Sequence, residues 1–148
     1  MIGSDVLWSS IYLNNNKIDP SILFGSILYL GMGTCFIPRL QSDKVIDTDI
    51  IEIDENMIEY NKNITHKWNV IKADVYEYET IKKYDFIFID IFYKKVEREI
   101  MEYLIEKYIK NLKSDGKIFY LKSVCKELDR EKYKHILLWI NKHYLKMK

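Results

Sequence analysis

Short apolar runs alternate along this chain with stretches of helical spacing, and polar turns separate them. Ser26 to Leu30 (SILYL) is a run of this kind that ends at Gly31. Apolar residues on both faces predict a central strand, covered by helices above and below. The same reading predicts strands over Asp49 to Ile53 (DIIEI), Trp68 to Ala73 (WNVIKA), Asp85 to Ile89 (DFIFI) and Lys117 to Val124 (KIFYLKSV). Helical segments are expected between them. A first one spans Asp5 to Leu13; the asparagines 14–16 break it, and Asp19-Pro20 marks a turn or a helix start. A short one runs from beyond Gly33 to Leu40, with Pro38 near its start or disturbing it. Asp54 can cap a helix over Glu55 to Lys62. Val96 to Asn111 has apolar residues at Ile100, Leu104, Tyr108 and at Ile105, Ile109, Leu112, and Ser114-Asp115-Gly116 ends it with a turn. Glu127 to Tyr144, apolar at Tyr133, Ile136, Leu137 and Ile140, is expected as a last helix.

Strand–helix alternation from Ser26 onward predicts an α/β fold with right-handed crossovers. The expected architecture is a Rossmann-like, doubly wound, mostly parallel sheet of about five strands. The length suits one domain: a helical segment over 1–25, a core over 26–124 and a helix over 125–148. Sheets of this type bind ligands beyond the carboxyl ends of their strands. Chemistry is therefore expected just after Leu30, Ile53, Ala73 and Ile89.

Composition narrows the function classes. Hydrophobic residues make up 48% of the chain, enough for a real core, which argues against disorder. Lys and Arg number 23 against 22 Asp and Glu, so there is no broad positive field for nucleic acid. The two cysteines, Cys35 and Cys125, are far apart and show neither a disulfide framework nor metal spacing. His66, His135 and His143 have no ligand-like spacing either, and no metal is expected. No apolar run is long enough for a bilayer, and residues 1–10 lack a signal-peptide pattern. A cytoplasmic protein is expected.

Candidate site residues cluster at the strand ends. Gly31-Met32-Gly33 follows the first strand, where glycine lets a backbone turn sharply against a ligand. An ordinary tight turn is the plain alternative. Glu52 ends the second strand about 20 residues further on, the spacing of an acid that accepts from ribose hydroxyls. Asp74 closes the third strand, with Val75 beside it. It either reaches an adenine amino group or caps its own turn. Asp90 closes the fourth strand, where it could orient an amine, act as a base or cap the next helix.

Four stretches in order resemble the successive motifs of class I S-adenosylmethionine-dependent methyltransferases. They are ILYLGMGTCF (Ile27 to Phe36), IIEIDENMI (Ile50 to Ile58), IKADV (Ile71 to Val75) and YDFIFIDIFY (Tyr84 to Tyr93). The resemblance leans towards the spermidine synthase-like branch. It implies that Gly31, Met32 and Gly33 pass the methionine part of the cofactor. It further implies that Glu52 binds the ribose and Asp74 the adenine amino group, that Ile53, Val75 and Asp90 also belong to the cofactor site, and that Asp90 is catalytic. Tyr93 stands where that branch usually carries another acid. Asp90-Ile91-Phe92-Tyr93 also resembles the D-P-P-Y motif of amino-group methyltransferases of nucleic acid, with both prolines absent.

By this resemblance the cofactor is S-adenosylmethionine or its decarboxylated form. The family's C-terminal antiparallel hairpin is expected to be missing, leaving room for a partner subunit or self-association. The leading expectation is a methyltransferase with an unidentified acceptor. Aminopropyl transfer and a non-catalytic cofactor-binding subunit are the alternatives.

Overall fold

The computed structural model describes residues 22–32, 38, 41–91, 95–121, 125, 128–129 and 131–140. Among the described residues there are six strands: β1 Gly25–Leu30, β2 Val45–Glu52, β3 Asn69–Lys72, β4 Tyr84–Ile89, β5 Leu112–Leu121 and β6 Leu137–Ile140. They form one sheet in the order β3-β2-β1-β4-β5-β6, and every pairing is parallel. Sequence order reverses beside β1, so a topological switch point lies between β1 and β4. No antiparallel hairpin occurs among the described residues.

The sheet is covered on both faces, as an all-parallel sheet must be. On one face Ile27, Tyr29, Ile50, Phe86, Phe88 and Phe119 pack with Met57, Ile58 and Ile64. These last three come from α1 (Glu55–Tyr60) and α2 (Lys62–Thr65). Register partners stack here: Tyr29 on Phe88 at 4.9 Å and Phe88 on Phe119 at 4.7 Å between ring centroids. On the other face Leu28, Leu30, Ile51, Ile87, Ile89 and Ile118 pack with α3 (Arg98–Tyr108). Its buried stripe is Met101, Leu104, Ile105 and Tyr108, one face at helical spacing, while Ile100 and Ile109 are exposed.

Several elements depart from expectation. The predicted helix over Glu55 to Lys62 divides at Asn61 into α1 and α2, and the Asp54 carboxylate caps α1 by accepting from Asn56 N–H. Strand β2 begins at Val45, before the expected Asp49: Asp47 and Thr48 break the apolar pattern, yet they pair with Ser26 and Ile27 of β1 and Thr48 is buried. Ile53 lies beyond the strand and is 59% exposed. The turn expected at Ser114 to Gly116 falls inside the span of β5. It shows as a break in register, since Tyr84 pairs with Leu112 but Phe86 with Lys117. The crossover over 73–83 has no helix. Its carbonyls are satisfied by side chains instead: Tyr108 donates to Val75 O, and Asn111 Nδ2 to the carbonyls of Thr80 and Lys82.

The last predicted helix is corrected most. Residues 131–136 form turns, and Leu137–Ile140 is a strand beside β5 rather than part of a helix. Leu137 joins the core, and Ile118 pairs with it across the ladder. The open flank of β5 offers four backbone partners, which outweighs the helical spacing. The helices expected over 5–13 and from Gly33 to Leu40 lie outside the described residues, except Pro38, which is helical.

Candidate cofactor site

The carboxyl ends of β2, β1 and β4 lie side by side, and the turn after β1 runs between the other two. Gly31 has φ +104°, a conformation that a side chain strains. Its N–H donates to Ile51 O at 2.8 Å, while Asp90 N–H donates to Leu30 O at 2.9 Å. A Cβ on Gly31 would lie 2.4 Å from the Asp90 carbonyl oxygen. Glycine is thus required here for a close approach between β1 and β4.

On the other flank, Glu52 turns its carboxylate towards the same turn. Oε1 accepts from Met32 N–H at 2.9 Å, and Oε2 accepts from Asp54 N–H at 3.0 Å. Two backbone donors therefore fix the orientation of a half-buried carboxylate. A carboxylate has about four lone-pair positions, so about two stay open to hydroxyl donors. Gly33 lies outside the described residues, as do Phe92 and Tyr93.

Asp90 is open to solvent, yet the surrounding protein strips much of its hydration. Lost hydration, and secondarily the nearby Glu52 charge, raise its carboxyl from the ordinary 3.8 to about 7. At neutral pH it is shared between acid and base forms. A carboxyl in that condition can accept a proton from an amine or hydroxyl.

Asp74 is the least committed of the candidates. Its Oδ1 accepts from Tyr76 N–H at 2.9 Å, and its carbonyl accepts from Glu77 and Tyr78 N–H. It therefore caps its own turn, the simpler of the two expected roles. Val75 is buried in the core beside it. The structure brings Gly31, Met32, Glu52 and Asp90 together, and it sets Ile53, Asp74 and Val75 along the β2–β3 side of the same edge. Among the described residues no group of three His, Cys, Asp or Glu side chains is placed to hold a metal, and no helix is long and apolar enough to cross a membrane. A separate cleft of about 390 Å³ lies at the opposite, amino-terminal end of β2, lined by Gln41, Thr48, Lys67 and Trp68. It shares no residue with the strand-end cluster.

Sequence reasoning passed over Asp49 and Tyr84. Both are buried and joined by a 2.5 Å hydrogen bond. An acid at the head of an apolar run was the available signal.

No protein-family profile matches the chain, and no curated protein matches it. Solved structures do. An S-adenosylmethionine-dependent methyltransferase from Clostridium acetobutylicum ATCC 824 aligns over 74% of this chain and 45% of its own, at 16% identity and a TM-score of 0.57. The N-methyltransferase NodS from Bradyrhizobium japonicum WM9 aligns over 76% and 64%, at 14% identity and a TM-score of 0.53. DhpI in complex with SAM and HEP aligns over 64% and 44%, at 18% identity and a TM-score of 0.54. The chain spans less than two thirds of the length of each. At these identities the likeness is one of fold: this chain has the Rossmann-like α/β fold found in solved S-adenosylmethionine-dependent methyltransferases.

Proposed function

We propose that the chain binds S-adenosylmethionine at the β1–β2–β4 strand ends and transfers its methyl group to an acceptor. The observation that carries this reading is the Glu52 carboxylate held against the glycine turn by Met32 N–H. In a Rossmann-like sheet that placement suits the two hydroxyls of a ribose. Ile53, apolar yet exposed, offers a face for an aromatic base. Val75 and Asp74 would flank the adenine, Gly31, Met32 and Gly33 would pass the amino-acid part, and Asp90 would face the acceptor.

Bound S-adenosylmethionine supplies an electrophilic methyl group. The chain need only align a nucleophile and take its proton. Asp90 is suited to that, because its carboxylate form is regained near neutral pH. The acceptor is unidentified.

Isothermal calorimetry tests the ligand class. S-adenosylmethionine and S-adenosylhomocysteine are expected to bind, and NAD is not. No heat with either adenosyl compound overturns the proposal. The position of Asp90 also supports a second reading, aminopropyl transfer from the decarboxylated cofactor to an amine, as in the spermidine synthase-like branch. Incubation with both cofactor forms separates the two. S-adenosylhomocysteine marks methyl transfer, and methylthioadenosine formed only with an amine present marks aminopropyl transfer. Tight binding without either product would identify a non-catalytic cofactor-binding subunit.

A further inference from the structure

Asp49 stands within β2 and is only 2% exposed. A carboxylate at such a place is stable only when its oxygens are well hydrogen-bonded. Oδ1 accepts from Asn69 Nδ2 at 2.9 Å. Oδ2 accepts from the Tyr84 hydroxyl at 2.5 Å and from Lys82 Nζ at 2.7 Å. Asp47 repeats the Lys82 contact at 2.7 Å. Burial alone would raise the Asp49 carboxyl, but the hydrogen bonds from Lys82, Tyr84 and Asn69 outweigh it and hold it below its ordinary value.

The Asn69 bond joins register partners on adjacent strands. The Tyr84 bond does something else. Strand β1 lies between β2 and β4, so their backbones are coupled only through it. Tyr84 reaches past β1 to Asp49. At that same end the β1–β2 pairing slips between Gly25 and Ser26, while the β1–β4 pairing is regular from Ile27 to Leu30. Where ladders slip, they set the relative height of strands less firmly. Glu52 ends the strand that holds Asp49, and Asp90 follows the strand that Tyr84 opens.

We propose that Asp49 and Tyr84 are a positioning pair: their hydrogen bond fixes the height of β2 against β4 and so holds Glu52 and Asp90 in place on the two sides of the Gly31 turn. Its value for activity rests on the reading of those strand ends as a cofactor site. A buried polar network is costly, and setting register is its best-attested use. A displaced strand would carry Glu52 away from Met32, because side chains alternate between faces along it.

Tyr84→Phe removes the hydroxyl and keeps the ring. Titration of the Asp90 carboxyl by carbon-detected NMR, on the full chain without ligand, reads the Glu52–Asp90 relationship through the part that the Glu52 charge plays in raising Asp90. The Asp90 midpoint is expected to fall towards the ordinary carboxylate range in Tyr84→Phe. It should stay unchanged in Tyr133→Phe, which deletes a similar bond, from Tyr133 to Glu106 on α3. If Tyr84→Phe fails to fold, Asp49→Asn is titrated instead, with the same expected fall. A midpoint unmoved in the variant titrated, or moved equally by Tyr133→Phe, overturns the proposal. Affinity for S-adenosylhomocysteine should also weaken about tenfold in Tyr84→Phe. A wild-type chain that binds no S-adenosylhomocysteine would overturn the cofactor reading, while the titration still decides this one.

Discussion

Gly31 and Asp90 meet through their backbones: a Cβ on Gly31 would stand 2.4 Å from the Asp90 carbonyl oxygen. That carbonyl belongs to the main chain and cannot swing aside as a side chain could. The left-handed conformation of Gly31 adds strain for any other residue. Gly31→Ala is therefore expected to lower stability by about 1–3 kcal/mol and to push the β1 and β4 ends apart. Urea unfolding checks the first part. Loss of calorimetric heat with S-adenosylhomocysteine, under conditions where the variant is folded, checks the second.

Glu52→Gln keeps the shape of the side chain but changes what it can accept. An amide has one acceptor oxygen, so it cannot receive both Met32 and Asp54 N–H while its NH2 faces one of them. Cofactor affinity is expected to drop at least about tenfold by calorimetry. The substitution also removes the charge that contributes to raising Asp90. The Asp90 midpoint should fall in the same variant, seen by NMR titration.

Asp90 makes the stability of the wild-type chain depend on pH. Its folded carboxyl, near 7, lies above the ordinary 3.8. Between those values the folded state holds more protons than the unfolded one, so stability falls as pH rises through that window. In Asp90→Asn that fall should vanish. Urea midpoints at about pH 4 and about pH 8 measure it: the wild type loses stability between them through this group, and the variant does not.

Asp49 works in the opposite sense. Its folded carboxyl lies below the ordinary value, so its contribution is complete above that value and is lost as pH falls through the folded one. Asp49→Asn should therefore be less stable at neutral pH yet lose less on acidification. Circular dichroism across an acid titration would show a shallower decline in the variant. An equally steep decline would separate acid unfolding from this network.

The strands around the candidate site were legible because their apolar runs leave little choice. DFIFI and SILYL can be covered only from both faces, and the acids and glycine that end the runs fall at strand ends by simple counting. The first half of β2 was not legible. Asp47 and Thr48 fell outside the predicted strand, and only the structure brings Lys82 and Asn69 against Asp47 and Asp49, and Tyr84 against Asp49. Residues 133–140 show the limit of periodicity. Tyr133, Ile136, Leu137 and Ile140 fit a helix, but the last four residues pair with β5.

By itself the sequence determined the α/β alternation, the four inner strands and the strand-end positions of Gly31, Glu52 and Asp90. Those features follow from local patterns of burial and turn chemistry. Only the tertiary structure decided that Met32 N–H meets Glu52 and that Gly31 presses on Asp90. It also decided that Asp74 caps its own turn and that Asp49 is buried. Such contacts join residues far apart in the chain, and they depend on strand order and register, which no local window contains.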